Sequence, residues 1–134
     1  MVLVFCESRQ CTEYYKPNMC IAVVTDLIFQ SRITGTAAQA HVACRVVRDV
    51  QALESALVEQ SAKLVLIDLS VESVGVKELV DSVRQHAPAA RIVAFGSHVD
   101  REVLDAAAQA GADDVLPRSA FVRLLPALLS QGDS

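Results

Sequence analysis

The chain has 134 residues, 52 % hydrophobic but 4 % aromatic and without Trp, and carries a net charge of −4 from 12 basic and 16 acidic residues. That length supports one domain burying about two thirds of its unfolded surface without disulfides or metals, and an aliphatic, aromatic-poor composition suits a parallel sheet covered by Ala-rich helices. No dense Lys/Arg stripe or aromatic series marks a nucleic-acid partner, and apolar runs of about five residues fall far short of the roughly 20 a spanning helix needs, so a cytoplasmic protein is expected.

Residues 1–18 (MVLVFCESRQCTEYYKPN) begin with an apolar run too short for a signal-peptide core and lacking basic residues before it. A flexible leader, an extra edge strand and translation upstream of a natural start at Met19 all fit this segment, and the domain is expected over 19–134. The four cysteines, Cys6, Cys11, Cys20 and Cys44, form no CxxC pair. Cys20 and Cys44 fall in predicted strands and read as small buried hydrophobes.

From Met19 onward strand and helix patterns alternate. Residues 20–25 (CIAVVT) form a first strand ending in Thr25-Asp26, and 27–40 a helix with Phe29, Ile33, Ala37 and Ala40 on one face. Gly35 inside that helix costs up to about 1 kcal/mol against Ala and is read as marking close packing on the sheet. A second, more polar strand at 41–47 is placed near an edge, and Asp49 is suited to cap a helix carrying Val50, Leu53, Ala56 and Leu57. Val76, Leu79, Val80 and Val83 mark a third helix, with Pro88 just beyond its end. Residues 91–95 (RIVAF) give a fourth strand, followed by the loop Gly96-Ser97-His98-Val99. Asp100 is positioned to cap an Ala-rich helix closed by Gly111. A short strand at 113–116 precedes a last helix through Leu129, with Ser119 as its expected cap and a kink expected at Pro126.

The stretch LVLIDLS at 64–70 organises the rest. Four consecutive large aliphatics predict a strand buried on both faces, and Asp68 stands at its C-terminal end. Five strand–helix units predict a flavodoxin-like (βα)5 three-layer sandwich, its parallel sheet in the order 2-1-3-4-5, with the ligand crevice over the C-terminal ends of strands one and three. Asp26 and Asp68 then line one acidic pocket.

Asp26, Asp68 and the segment AGADDVLPRS at 110–119 resemble the receiver domain of bacterial two-component response regulators, the CheY-like family. The resemblance implies a phosphoacceptor at Asp68, a Mg²⁺ site formed by Asp26 and Asp68, a hydroxyl at the end of strand four, and a Lys at the end of strand five. Two close carboxylates and a backbone carbonyl can hold Mg²⁺, and the metal screens the repulsion between an anionic nucleophile and a phosphoryl group. Several positions depart from the pattern. Thr25 replaces one of the usual acidic pair, Gly96 the hydroxyl residue with Ser97 one place beyond it, Arg118 the Lys, Ser119 the Pro after it, and Val115 the aromatic switch residue. Arg favours a fixed bidentate geometry where Lys is a mobile point charge.

Two readings follow. One is an atypical pseudo-receiver acting through protein–protein contacts, with Asp26, Asp68 and Arg118 as a salt-bridged network. The other is a phosphoacceptor receiver modified on Asp68 with Mg²⁺, whose enzymatic capacity is self-phosphorylation at most. A small-ligand-binding flavodoxin-like domain is a minor alternative, although the loop after strand one lacks a phosphate cradle. Ser31, Arg32 and His98 read as exposed residues, and Asp113 and Asp114 as turn residues. The resemblance implies a protein partner, such as a histidine kinase or an output protein. The apolar Val122, Leu125, Leu128 and Leu129 exceed what one buried stripe uses, and point to a homodimer through the face spanning helix four, strand five and helix five.

Overall fold

The computed structural model describes residues 19–59, 62–70 and 75–131, so the readings of 1–18 lie outside the described residues. Five strands alternate with five helices: β1 (Met19–Val23), α1 (Leu27–Gln39), β2 (Ala43–Val47), α2 (Val50–Glu59), β3 (Ala62–Asp68), α3 (Val76–His86), β4 (Arg91–Gly96), α4 (Arg101–Ala110), β5 (Asp114–Pro117) and α5 (Arg118–Gln131). All pairings are parallel, and the sheet order is β2-β1-β3-β4-β5, as the sequence pattern predicted. No helix among the described residues is long and apolar enough to cross a membrane.

Each central strand divides its side chains between two apolar layers, because successive residues point to opposite faces. Val65 and Ile67 pack with Ile21, Val23, Ile92 and Ala94 under α2, α3 and α4, where Leu53, Leu79, Val83 and Ala107 close the layer. Leu64 and Leu66 pack the other way with Ala22, Val93 and Phe95, under Ile33 and Ala37 of α1 and Phe121, Leu125 and Leu129 of α5. This two-sided demand is why β3 reads as an uninterrupted apolar run. β2, at the sheet edge, is half-buried over four of its five residues.

Several local expectations are corrected. β1 ends at Val23, although Val24 N still donates to Val47 O at 3.1 Å. β2 starts at Ala43 because His41 takes a left-handed turn with φ 58°. Gly35 is exposed with nothing within 4 Å of where a Cβ would stand, so it marks no close packing. Asp49 caps as expected, accepting from Ala52 N at 2.8 Å, whereas Asp100 makes no side-chain cap bond to α4. Gly111 closes α4 at φ 114°. Pro117 leads straight into α5, so Ser119 lies inside the first turn and is not the cap, and Pro126 sits within the continuous helix.

The pair Asp113 and Asp114 does more than turn the chain. Asp113 accepts from Ile92 N at 2.7 Å and pairs with Arg84 at 2.9 Å, while Asp114 pairs with Arg91 at 2.6 Å. Burial pushes the Asp113 carboxyl up, but the Ile92 amide and the guanidinium groups of Arg84 and Arg91 outweigh it and hold the group below its ordinary range.

Candidate functional site

β3 delivers Asp68 as its last residue, in register with Phe95 of β4. The residue is 1 % exposed. Its Oδ1 accepts from Ser70 N at 2.9 Å and from Ser70 Oγ at 2.7 Å, a local turn in which an Asp side chain takes the place of a backbone acceptor. Arg118 Nη2 lies 3.7 Å from the same oxygen, and Asp68 Oδ2 is buried with no hydrogen-bond partner among the described residues.

Arg118 is the first residue of α5, and β5 aims it at the site because Pro117 stands beside Gly96 at the end of the sheet. Its guanidinium carbon sits 5.2 Å from the centroid of Phe29, within cation–π range, and its Nε is buried with no hydrogen-bond partner among the described residues. Phe29 is 5.6 Å from Phe95 and 6.5 Å from Phe121, while Phe95 and Phe121 stack at 3.8 Å. Three of the chain's four phenylalanines thus gather beneath the charged pair. Neither this platform nor the role of Ser70 emerged from the sequence reading. The signal was available in a chain with so few aromatics: Phe29 falls on the expected buried face of the first helix and Phe95 in the expected fourth strand, both next to the site.

Asp26 occupies the same end of the sheet, since Val23 of β1 is in register with Ile67 of β3. Its Oδ1 is engaged by α1, accepting from Ile28 N at 2.8 Å and Phe29 N at 3.3 Å, and the residue is exposed. Its observed work is that of a helix N-cap. Ser97 is half-buried, and its Oγ accepts from Val99 N at 3.4 Å within its own loop. Gly96 ends β4 with no hydroxyl, and a Cβ there would stand 3.2 Å from Leu69 Cβ. Val115 packs into the layer beneath α2 to α4, and His98, Ser31 and Arg32 are exposed, as read. On the α3 and α4 side, Ile67, Asp68 and Leu69 border a cavity of about 270 Å³ closed by Val76, Leu79, Glu102, Val103 and Ala106.

These groups fit a resident Mg²⁺ poorly. The ion demands near-octahedral oxygen ligation, and the two carboxylates that would supply it are each already engaged elsewhere. One oxygen of Asp26 serves α1 and one of Asp68 serves Ser70, and the positive charge next to Asp68 comes from Arg118.

No family model and no curated protein matches the chain. Solved structures do. A response regulator from Hahella chejuensis aligns with a TM-score of 0.75 at 16 % identity, over 86 % of this chain and 94 % of that one. The fold is that of a CheY-like receiver domain. The receiver domain of NtrX from Brucella abortus aligns at 0.72 and 15 % identity, over 86 % of this chain and 97 % of that domain. A response regulator from Burkholderia pseudomallei, solved with a phosphorylated aspartic acid, calcium ion and citrate, aligns at 0.72 and 17 % identity over 84 % of this chain. This chain spans 66 % of the Burkholderia chain's length. At such identities the likeness is one of receiver fold, and the chemistry has to be argued from this chain's own residues.

Proposed function

We propose that this receiver-fold domain is a signalling module that works through protein–protein contact without phosphorylation of Asp68. The observation that carries this reading is the state of the Asp68 carboxylate, buried, held by both donors of Ser70 and faced by the Arg118 guanidinium. A nucleophile needs a free lone pair and room for in-line approach; here one oxygen is committed and the other is enclosed. Gly96 supplies no hydroxyl to read a phosphoryl group, and Val115 no ring to swing in response. Arg118 supplies a permanent positive charge where a metal and Lys would act transiently, which makes Asp68 and Arg118 a structural pair beside Asp26, the cap of α1.

The partner is a protein, with a histidine kinase or an output protein as the class the fold suggests, in the cytoplasm. The apolar surplus on α5 that pointed to a homodimer does not support one. Leu125, Leu128 and Leu129 are buried in the domain's own core and Val122 packs against it. The exposed large apolar residues of α4 and α5 are Val103 and Leu124, at 40 % and 39 %.

A second reading, phosphoryl transfer to Asp68 with a weak Mg²⁺ site at Asp26 and Asp68, is favoured by one fact: Asp68 Oδ2 has no hydrogen-bond partner among the described residues. The test is intact-mass analysis after incubation with Mg²⁺ and acetyl phosphate, beside an Asp68→Asn control. The expected result is no adduct on either protein. One phosphoryl group on the native chain and none on Asp68→Asn would overturn the proposal in favour of the second reading.

A further inference from the structure

Cys20 and Cys44 take no part in the site, yet the fold sets them side by side. They are direct register partners on the parallel strands β1 and β2, so their side chains project to the same face. Both belong to the layer under α1 and α5, Cys20 fully buried and Cys44 half-buried on the edge strand. Neighbouring strands run about 4.8 Å apart, inside the roughly 4.4–6.8 Å between Cα atoms that a disulfide accepts. Both thiols are free. The mutual interaction of the two thiols holds Cys44 below the ordinary thiol value although burial opposes it, while the same interaction and then burial raise Cys20 well above.

We propose that Cys20 and Cys44 form an oxidisable dithiol, in which Cys44 is the accessible attacking thiol and Cys20 the resolving thiol, closed to a disulfide by a hydroperoxide. Cys44 sulfur attacks the terminal peroxide oxygen, forming an S–O bond as the O–O bond breaks. The alcohol, or water for hydrogen peroxide, leaves with a proton, and Cys44 becomes a sulfenic acid. Cys20 sulfur then attacks Cys44 sulfur, forming the S–S bond, and the hydroxyl departs as water with the Cys20 proton. Two thiols and one hydroperoxide give one disulfide, one alcohol and one water. The arrangement separates the roles, since a half-buried thiol meets the oxidant while its register partner on the neighbouring strand is buried and shielded from over-oxidation.

The test uses the full chain carrying Cys6→Ser and Cys11→Ser, so that this pair alone reports, treated with hydrogen peroxide and followed by intact mass and thiol alkylation. The expected result is loss of two hydrogens, simultaneous loss of both alkylatable thiols, a cross-link between the tryptic peptides on either side of Arg32, and full reversal by dithiothreitol. In Cys20→Ala the reaction should stop at a dimedone-reactive sulfenic acid, and in Cys44→Ser at the half-buried position Cys20 should stay unreactive. Progress of Cys44 to sulfinic or sulfonic acid while Cys20 is present, or two thiols still alkylatable after peroxide, would overturn the proposal.

Discussion

Replacing Arg118 by Met removes the cation facing Asp68 while keeping an apolar stem over Phe29, where a thioether makes a favourable ring contact. Unit charges 3.7 Å apart attract by roughly 4–5 kcal/mol at an effective dielectric of about 20. The Arg118 side chain is 37 % exposed and its approach is longer than a hydrogen bond, so solvent screening discounts that figure by more than half. Arg118→Met should therefore cost about 2 kcal/mol, below the ~3–5 kcal/mol seen when a fully buried pair is broken. In an Asp68→Asn background, where no charge is stranded, the same substitution should cost under about 0.5 kcal/mol, leaving a coupling near 1.5 kcal/mol. Urea unfolding at pH 7, followed by far-ultraviolet circular dichroism with equal m-values across the four proteins, measures the cycle. Additivity within about 0.3 kcal/mol would refute the reasoning and reduce Arg118 to a packing residue above the aromatic platform.

Three further outcomes are expected. Asp26→Ala removes the acceptor for Ile28 N and Phe29 N and should lower stability by about 1 kcal/mol, equally with and without Mg²⁺; a loss seen only with Mg²⁺ would show that the carboxylate serves a metal. Asp113→Ala should cost about 1–2 kcal/mol at pH 7. Because the folded carboxyl titrates below its unfolded value of ~3.9, its contribution is complete above that pH and declines as pH falls through the lower folded value, so the native and Asp113→Ala stabilities should converge as pH falls below about 4; a gap that widens toward acid would contradict the sign. Phe121→Ala empties a fully buried position stacked on Phe95 and should cost about 3–5 kcal/mol in chemical unfolding; a loss under about 1 kcal/mol would mean that the platform collapses to fill the space.

Sheet order and element identity were legible because periodicity carries them: LVLI at 64–67 has to face two layers, and Asp68 follows it at the strand's end. Caps were less legible. Asp49 and Asp100 present the same signal in sequence, yet Asp100 adopts ψ 64° at its cap position and makes no bond to α4. Ser119 misled because Pro117, whose missing N–H removes one donor from a helix start, lets the strand pass straight into α5. At the site, the meeting of Asp68 and Arg118 followed from topology, but the capture of Asp68 by Ser70 depends on a two-residue turn, and the aromatic platform on rotamers of residues far apart in sequence. Apolar count misjudged α5 for a related reason, since a helix crossing an open sheet buries a broader stripe than one packed against a single neighbour.

Parallel order has a consequence for how the chain is made. Every pair of neighbouring strands is bridged by a helix, so no pairing can zip from a hairpin, and non-local topologies of this kind fold slowly. β3 meets its second neighbour once residue 96 has itself emerged, which at about 5–20 residues per second is roughly 1–6 s after Asp68 leaves the ribosomal tunnel. Throughout that interval the nascent chain carries the strongly aliphatic flank of β3 as an open edge, the kind of surface on which misassembly begins.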